Sequence, residues 1–259
     1  MAKRARAAES QSQGRWQAWV PNAVTSGNLL LGFLSILVAL RALRSGEGPG
    51  SKSFDTACWL ILWAAIGDVL DGKLAKLLKA GSEFGMRLDT FADAVTFGLA
   101  PAVLLHAAFL SGPGQPIYVA LAPAAYFLAA AFRLARYNVQ SAGPPRFGFV
   151  GLPTPAAALI ATSLYLSTAN KPFPPSSVAV LMLFVGAAMV SPLRYPSFKG
   201  LSGREVALVL GILLVMLLCT LRWGTAPVVL VGFGSFALLW GYWWIPLRPY
   251  WVPGVGKDD

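Results

Sequence analysis

Apolar residues run along this chain in long blocks, and polar residues gather between the blocks rather than alternating within them. Eight blocks are delimited by turn signals, at residues 23–43, 55–79, 84–110, 117–137, 152–169, 175–192, 205–222 and 226–246. The breaks fall at SGEGPGS (45–51), AGSEF (80–84), SGPGQP (111–116), QSAGPPRFG (140–148), NKPFPPS (170–176), RYPSFKG (194–200) and RWGT (222–225). Most hold Gly, Pro or both, which stop helices. About 20 apolar residues cross the ~30 Å of bilayer hydrocarbon as a helix, and EVALVLGILLVMLLCTLR (205–222) is close to that length. The pattern predicts an all-α fold, a polytopic membrane bundle of about eight transmembrane helices. It divides the chain into a basic tail (1–20), six helices over 21–200, two more over 201–247, and a short tail (248–259).

Composition strengthens this reading. The chain is 56% hydrophobic and only 12% charged, against about 25% charged residues in soluble domains. It cannot cover a globular surface with solvated side chains. That excludes a soluble enzyme, a disordered protein and a disulfide scaffold. The net charge of +10 then points to cytoplasmic loops facing anionic lipid, not to nucleic acid. With eight spans and the N terminus inside, 16 of the 21 Lys and Arg fall on the cytoplasmic side. Both termini are therefore expected in the cytoplasm, although Arg41 and Arg44 run against the bias. Residues 1–20 have no apolar core of the kind a cleaved signal peptide carries. Cys58, Cys219 and His106 are too few for a zinc site. The aromatic run LLWGYWWIPLRPYW (238–251) reads as an interfacial belt.

Four aspartates stand out in GDVLDGKLAKLLKAGSEFGMRLDTFADAVTFGLAP: Asp68, Asp71, Asp89 and Asp93. An aspartate at the centre of a membrane helix costs roughly 2.5–3.5 kcal/mol, so four together need a use. Asp68 and Asp71 are i,i+3, and Asp89 and Asp93 are i,i+4, so each pair shares a helix face. The turn at AGSEF lies midway between the pairs. Folded as an antiparallel hairpin, Asp68 comes level with Asp93 and Asp71 with Asp89. Converging carboxylates repel one another unless cations neutralise them, and oxygen-only ligands select Mg²⁺ or Mn²⁺ over zinc. Four carboxylates suit two metals about 3.5–4 Å apart, an arrangement fitted to displacement at phosphorus. Hydrogen-bonded structural aspartates and the ion relay of a cation-coupled transporter are the other readings of the residues alone. Gly72 and Gly85 favour a phosphate substrate, because each removes a side chain where a diphosphate could approach the backbone. Lys73, Lys76 and Lys79 gather at the same mouth, with Lys76 best placed to reach a phosphate.

At these residues the sequence resembles the CDP-alcohol phosphotransferase family, whose signature is D-x2-D-G-x2-A-R-x8-G-x3-D-x3-D. Asp68, Asp71, Gly72, Ala75, Gly85, Asp89 and Asp93 match it, and Lys76 stands where the family has Arg. Lysine keeps the charge but loses the bidentate fork. PNAVTSGNLLLGFLSI (21–36), SEFGMRLDTFADAVTFGLAPA (82–102), FRLARYN (132–138), GLPTPAAA (151–158) and RYPSFK (194–199) narrow the likeness to its membrane-embedded phosphatidylserine synthases. The likeness covers roughly residues 20–200.

The resemblance implies transfer of a phosphatidyl group from CDP-diacylglycerol to the hydroxyl of L-serine, with release of CMP. It implies Asp68, Asp71 and Asp89 as ligands of two divalent cations, and Asp93 as the general base that also touches a metal. Gly72, Ala75 and Gly85 would be nucleotide contacts, with Lys76 on the diphosphate. Arg133 and Arg136, i,i+3 in FRLARYN, and Lys199 are the candidates for the serine carboxylate or a phosphate. Each also reads as ordinary cytoplasmic charge. Pro153 and Pro155 are expected to shape a helix start near the site. The aspartate motif serves glycerol phosphate, inositol phosphate and archaeal ether-lipid relatives equally, so only the flanking stretches speak for serine. A homodimer in a prokaryotic cytoplasmic membrane, with its site open to the cytoplasm, completes the expectation.

Overall fold

A computed structural model describes residues 2–78, 83–141, 149–170, 173–192 and 194–195, with side chains for 22–68, 83–139, 151–170 and 173–192. The described residues form a helical bundle: α1 (Ala2–Arg44), α2 (Lys52–Leu78), α3 (Glu83–Asp93), α4 (Ala100–Leu105), α5 (Ile117–Ser141), α6 (Thr154–Thr168) and α7 (Pro175–Val190). Residues Asn22–Arg44, Glu83–Leu110 and Ile117–Val139 are long and apolar enough to cross a membrane. The expected spans 205–222 and 226–246, the tail 248–259 and Lys199 lie outside the described residues.

Helix α1 differs from expectation at its start. It begins at Ala2, so the basic N-terminal stretch continues the first span as one 43-residue helix. At its other end α1 stops in a Schellman motif. Gly46 takes φ +68°, its N–H donates to Leu43 O, and the Glu47 N–H donates to Ala42 O. The turn into α2 is tied to α6. The Gly50 N–H donates to Tyr165 Oη (3.2 Å), whose own hydroxyl donates to Asp55 Oδ1 (2.7 Å).

Small residues let the helices approach closely, as membrane bundles require. Ala39, Ala42, Ala57, Ala122, Ala130, Ala157 and Ala158 are fully buried. The principal pairings are α1 on α2 and α5 on α7. Ser35 Oγ donates to Ala57 O across the first pair, and Gly186 lies against Ala129 in the second. Large apolar side chains face outward instead, among them Leu30, Phe33, Trp63, Leu128, Phe132 and Phe184. That surface belongs in lipid.

The third span is not a plain α-helix. Between α3 and α4, residues Ala94–Leu99 form a π stretch in which the Ala100 N–H donates to Val95 O, five residues back. Pro101 supplies a reason. It has no N–H to give Phe97 O, which an uninterrupted α-helix would require. Tyr126 of α5 makes good the loss by donating its hydroxyl to Phe97 O at 3.2 Å, as membrane helices need when a proline frees a carbonyl. A second π stretch, His106–Leu110, follows α4, and nothing in the sequence signals it. A two-residue antiparallel ladder joins β1 (Phe149–Val150) to β2 (Arg194–Tyr195).

Candidate active site

Two helices bring the acidic residues together. Asp68 comes from α2, and Asp89 and Asp93 come from successive turns of α3. One carboxylate oxygen from each lies within 4.8 Å of the other two. Asp68 and Asp93 are half-buried and Asp89 is exposed, so the cluster opens on one side. Asp93 is repelled by Asp68 and Asp89 and attracted by Arg133. Asp71, Gly72, Ala75 and Lys76 continue α2 toward the turn, with side chains outside the described residues. Gly85 lies in the first turn of α3, four residues before Asp89.

The helices carrying these groups are locked to α1 and α5. Asn28 of α1 is buried and sets its side chain against Gly67, beside Asp68, where an added Cβ would overlap it. Thr96, three residues beyond Asp93, is fully buried and donates to the Asn28 carbonyl at 3.1 Å. Gly32 leaves the space that Thr96 fills. On the other flank Thr90 directs its hydroxyl to Met86 O (3.0 Å) and to the side-chain oxygen of Asn138 on α5 (3.2 Å).

The two arginines of α5 have different surroundings. Arg133 is 8% exposed, and its Nη1 donates to Thr154 Oγ1 at 2.9 Å. Arg136 turns toward the end of α7. Its Nη1 donates to Val190 O (2.9 Å), and its Nη2 to Met189 O (3.2 Å) and Ser191 O (3.4 Å). These are orphan carbonyls of a helix C-terminus, which a cation satisfies well. Arg136 thus caps the end of α7. Gly151, at φ +83°, is packed so tightly that a Cβ would strike Met189 O.

Comparison with known proteins bears on what such a cluster serves. The family model for CDP-alcohol phosphatidyltransferase matches residues 18–192, which include every residue of the aspartate motif. The chain belongs to this family. It is similar to the CDP-diacylglycerol–serine O-phosphatidyltransferase of Helicobacter pylori strain J99, at 33% identity over 69% of this chain and 72% of the relative. It is similar to the Bacillus subtilis strain 168 protein of the same name, at 29% identity over 70% of this chain and 92% of that one. It is also similar to the archaetidylserine synthase of Methanothermobacter thermautotrophicus, at 32% identity over 70% and 71%.

This CDP-alcohol phosphatidyltransferase is thus a membrane-bundle enzyme with an acidic cluster between α2 and α3. The contacts that Asn28, Thr96 and Thr154 make were not legible in the sequence. Each is an ordinary polar residue in a helix, and only its neighbour on another helix gives it a task. Thr154 did carry a faint signal, lying between two prolines in GLPTPAAA.

Proposed function

We propose that the chain transfers the phosphatidyl group of CDP-diacylglycerol to the hydroxyl of L-serine, forming phosphatidylserine and releasing CMP. The convergence of Asp68, Asp89 and Asp93 carries the mechanism, and the serine-synthase names of the relatives support the acceptor. The donor set suits a hard divalent ion. All donors are carboxylate oxygens, and their separations of up to 4.8 Å are close to the ~4 Å between opposite ligands at Mg–O bonds of 2.0–2.1 Å. With Asp71 on the same helix, Asp68, Asp71, Asp89 and Asp93 would hold two cations, Mg²⁺ or Mn²⁺. When bound, such ions neutralise charge on the diphosphate and on the departing CMP.

The protein's own groups do the rest. Asp93 accepts the serine hydroxyl proton as the new serine–phosphorus bond forms and the bond from phosphorus to the CMP oxygen breaks. Gly72, Ala75 and Gly85 leave room for the nucleotide against the backbone, and Lys76 offsets diphosphate charge. Arg133 holds an anionic group of a substrate. CDP-diacylglycerol keeps its tails in lipid while serine and CMP belong to water, which favours a shallow site opening to the cytoplasm. The same reading has both termini cytoplasmic, eight spans in all, residues 21–200 as the catalytic helices, and a homodimer in a prokaryotic cytoplasmic membrane.

The test is CMP release by the purified full chain in detergent, with CDP-diacylglycerol and separately L-serine, glycerol phosphate or inositol phosphate. Release with L-serine alone, abolished by chelation and restored by Mg²⁺ or Mn²⁺, is expected. Release with another acceptor but not with serine overturns the proposal, and release indifferent to chelation overturns the metal site. The archaetidylserine synthase relative favours a second reading with an ether-linked donor, which the same assay decides when that donor replaces CDP-diacylglycerol.

A further inference from the structure

Helix α3 carries two of the three clustered acids and has little grip on the bundle. Ala92 is its buried residue, while Phe84, Met86 and Phe91 are 59–67% exposed. It rests on α1, whereas α5 packs on the π stretch beyond it. That π stretch, Ala94–Leu99, also separates α3 from the well-buried α4, so no continuous α-helix dictates how α3 is turned. Electrostatics works against the cluster as well. Asp93 is repelled by Asp68 of α2 and by Asp89, and the repulsion lasts until a cation neutralises it. Thr90 is placed to resist it. It follows Asp89 directly and lies one turn before Asp93, on the side of α3 that Asp93 shares. Its hydroxyl bonds Met86 O within α3 (3.0 Å) and reaches Asn138 Oδ1 on α5 at 3.2 Å. Thr90 and Asn138 are both half-buried. The bond joins the acid-bearing turn to a long helix that α7 braces from its other side.

We propose that Thr90 and Asn138 are positioning residues, whose hydrogen bond sets the acids of α3 against Asp68 before divalent cations bind. The proposal deepens the metal reading of the cluster given above and rests on it. Neither residue is asked to touch ion or substrate. Without the bond every carboxylate is still present, but the cation must gather them against their own repulsion. The penalty therefore falls on metal affinity, as it does whenever a binding site loses its pre-organisation. Once cations saturate the site the acids are gathered, and turnover proceeds as before.

The full chain in detergent is titrated with Mn²⁺ by calorimetry, without substrate, as wild type, Thr90→Val, Asn138→Leu and the double variant. CMP release is then followed as Mn²⁺ is raised. Each single variant should bind Mn²⁺ about fivefold more weakly, the net worth of one hydrogen bond. The Mn²⁺ concentration for half-maximal CMP release should rise by the same factor, while kcat at saturating Mn²⁺ stays within about twofold of wild type. The double variant should bind no more weakly than either single one, because both remove the same bond. Thr90→Ser should bind like wild type, because it keeps the hydroxyl. A merely structural defect would instead lower kcat at every metal concentration. Unchanged Mn²⁺ affinity in the single variants, losses that add in the double variant, or a kcat that saturating Mn²⁺ does not restore overturns the proposal. If Thr90→Val does not fold, Thr90→Ala removes the hydroxyl and is read in the same way. Wild type that binds no Mn²⁺ sinks the metal reading of the cluster, and the proposal with it. Wild type that binds Mn²⁺, alongside variants of equal affinity, sinks the role of Thr90 and Asn138 alone.

Discussion

Gly32→Ala probes the lock between α1 and the helix that carries Asp89 and Asp93. A Cβ at position 32 would lie 2.7 Å from Thr96 Cα and would overlap Thr96 Oγ1. Carbon atoms ordinarily rest ~3.5–4.0 Å apart, so the two helices must separate by about 1 Å. Trimming Thr96 would not relieve this, because the clash reaches its backbone. Overpacking of this kind costs about 1–3 kcal/mol. Separation also strains the buried Thr96 bond to Asn28 O (3.1 Å), worth about 1–3 kcal/mol if its partners are left unsatisfied. The sum, about 2–6 kcal/mol, should lower the apparent melting midpoint in detergent by about 4–24 °C. Thr96 follows Asp93 by three residues, so the displacement reaches the carboxylates, and a 1 Å misplacement costs on the order of 10²-fold in turnover. The assay is CMP release beside a thermal melt, with Gly27→Ala as control. An added Cβ at Gly27 meets nothing within 4 Å, so that variant should be unchanged or slightly more stable. Normal activity and melting in Gly32→Ala, or an equal loss in Gly27→Ala, would refute the argument.

Three further outcomes are expected. Asp93→Asn still offers one neutral oxygen to a metal but cannot accept a proton, so it should bind metal and CDP-diacylglycerol by calorimetry nearly as well as wild type, yet lose on the order of 10²–10⁴ in CMP release, the usual worth of a general base; metal affinity lost in step with turnover would make Asp93 a ligand first. Lys76→Arg should stay active because the family uses Arg there, whereas Lys76→Ala should raise the KM for CDP-diacylglycerol. Unchanged donor kinetics in the alanine variant would reduce Lys76 to loop charge. Tyr126→Phe strips Phe97 O of the hydroxyl that replaces its lost helical partner, so it should cost about 1–3 kcal/mol of stability in a detergent melt, and an unshifted melt would mean that Phe97 O needs no such partner.

The hairpin of aspartates was readable because its information is local. Asp68, Asp89 and Asp93 are spaced about one turn segment, and helical periodicity alone brings them level. The hydropathy that places the first span at 23–43, against Asn22–Arg44 in the structure, does not show that α1 reaches back to Ala2. Residues 2–20 lack apolar blocks, but they are rich in Ala, Arg and Gln, strong helix formers that can extend a helix already nucleated in the span. Arg133 and Arg136 look equivalent in sequence, one turn apart with the same flanks. What separates them is tertiary: Arg133 meets the start of α6 and Arg136 the end of α7. No property of FRLARYN itself carries that difference. Asn28 and Thr96 were hidden for the same reason.

The π stretch after Asp93 reconciles two demands on one helix. In an uninterrupted α-helix Asp93, Thr96, Phe97 and Ala100 would follow one another along a single face. Here Asp93 must meet Asp68 on α2, while Thr96 reaches Asn28 on α1 and the Phe97 carbonyl reaches Tyr126 on α5. A π turn takes in an extra residue, and each residue is about 100° of rotation at 3.6 per turn. The residues beyond Asp93 are thereby turned around the axis relative to the carboxylates. The acids can then stay directed at Asp68 while α1 packs along both stretches and α5 packs against the π stretch beyond Asp93. Pro101 removes the hydrogen bond that would have held the plain α-helix together, and Tyr126 compensates from the neighbouring span. A proline eight residues from Asp93 thus acts on the site through the angle at which the acidic face is presented.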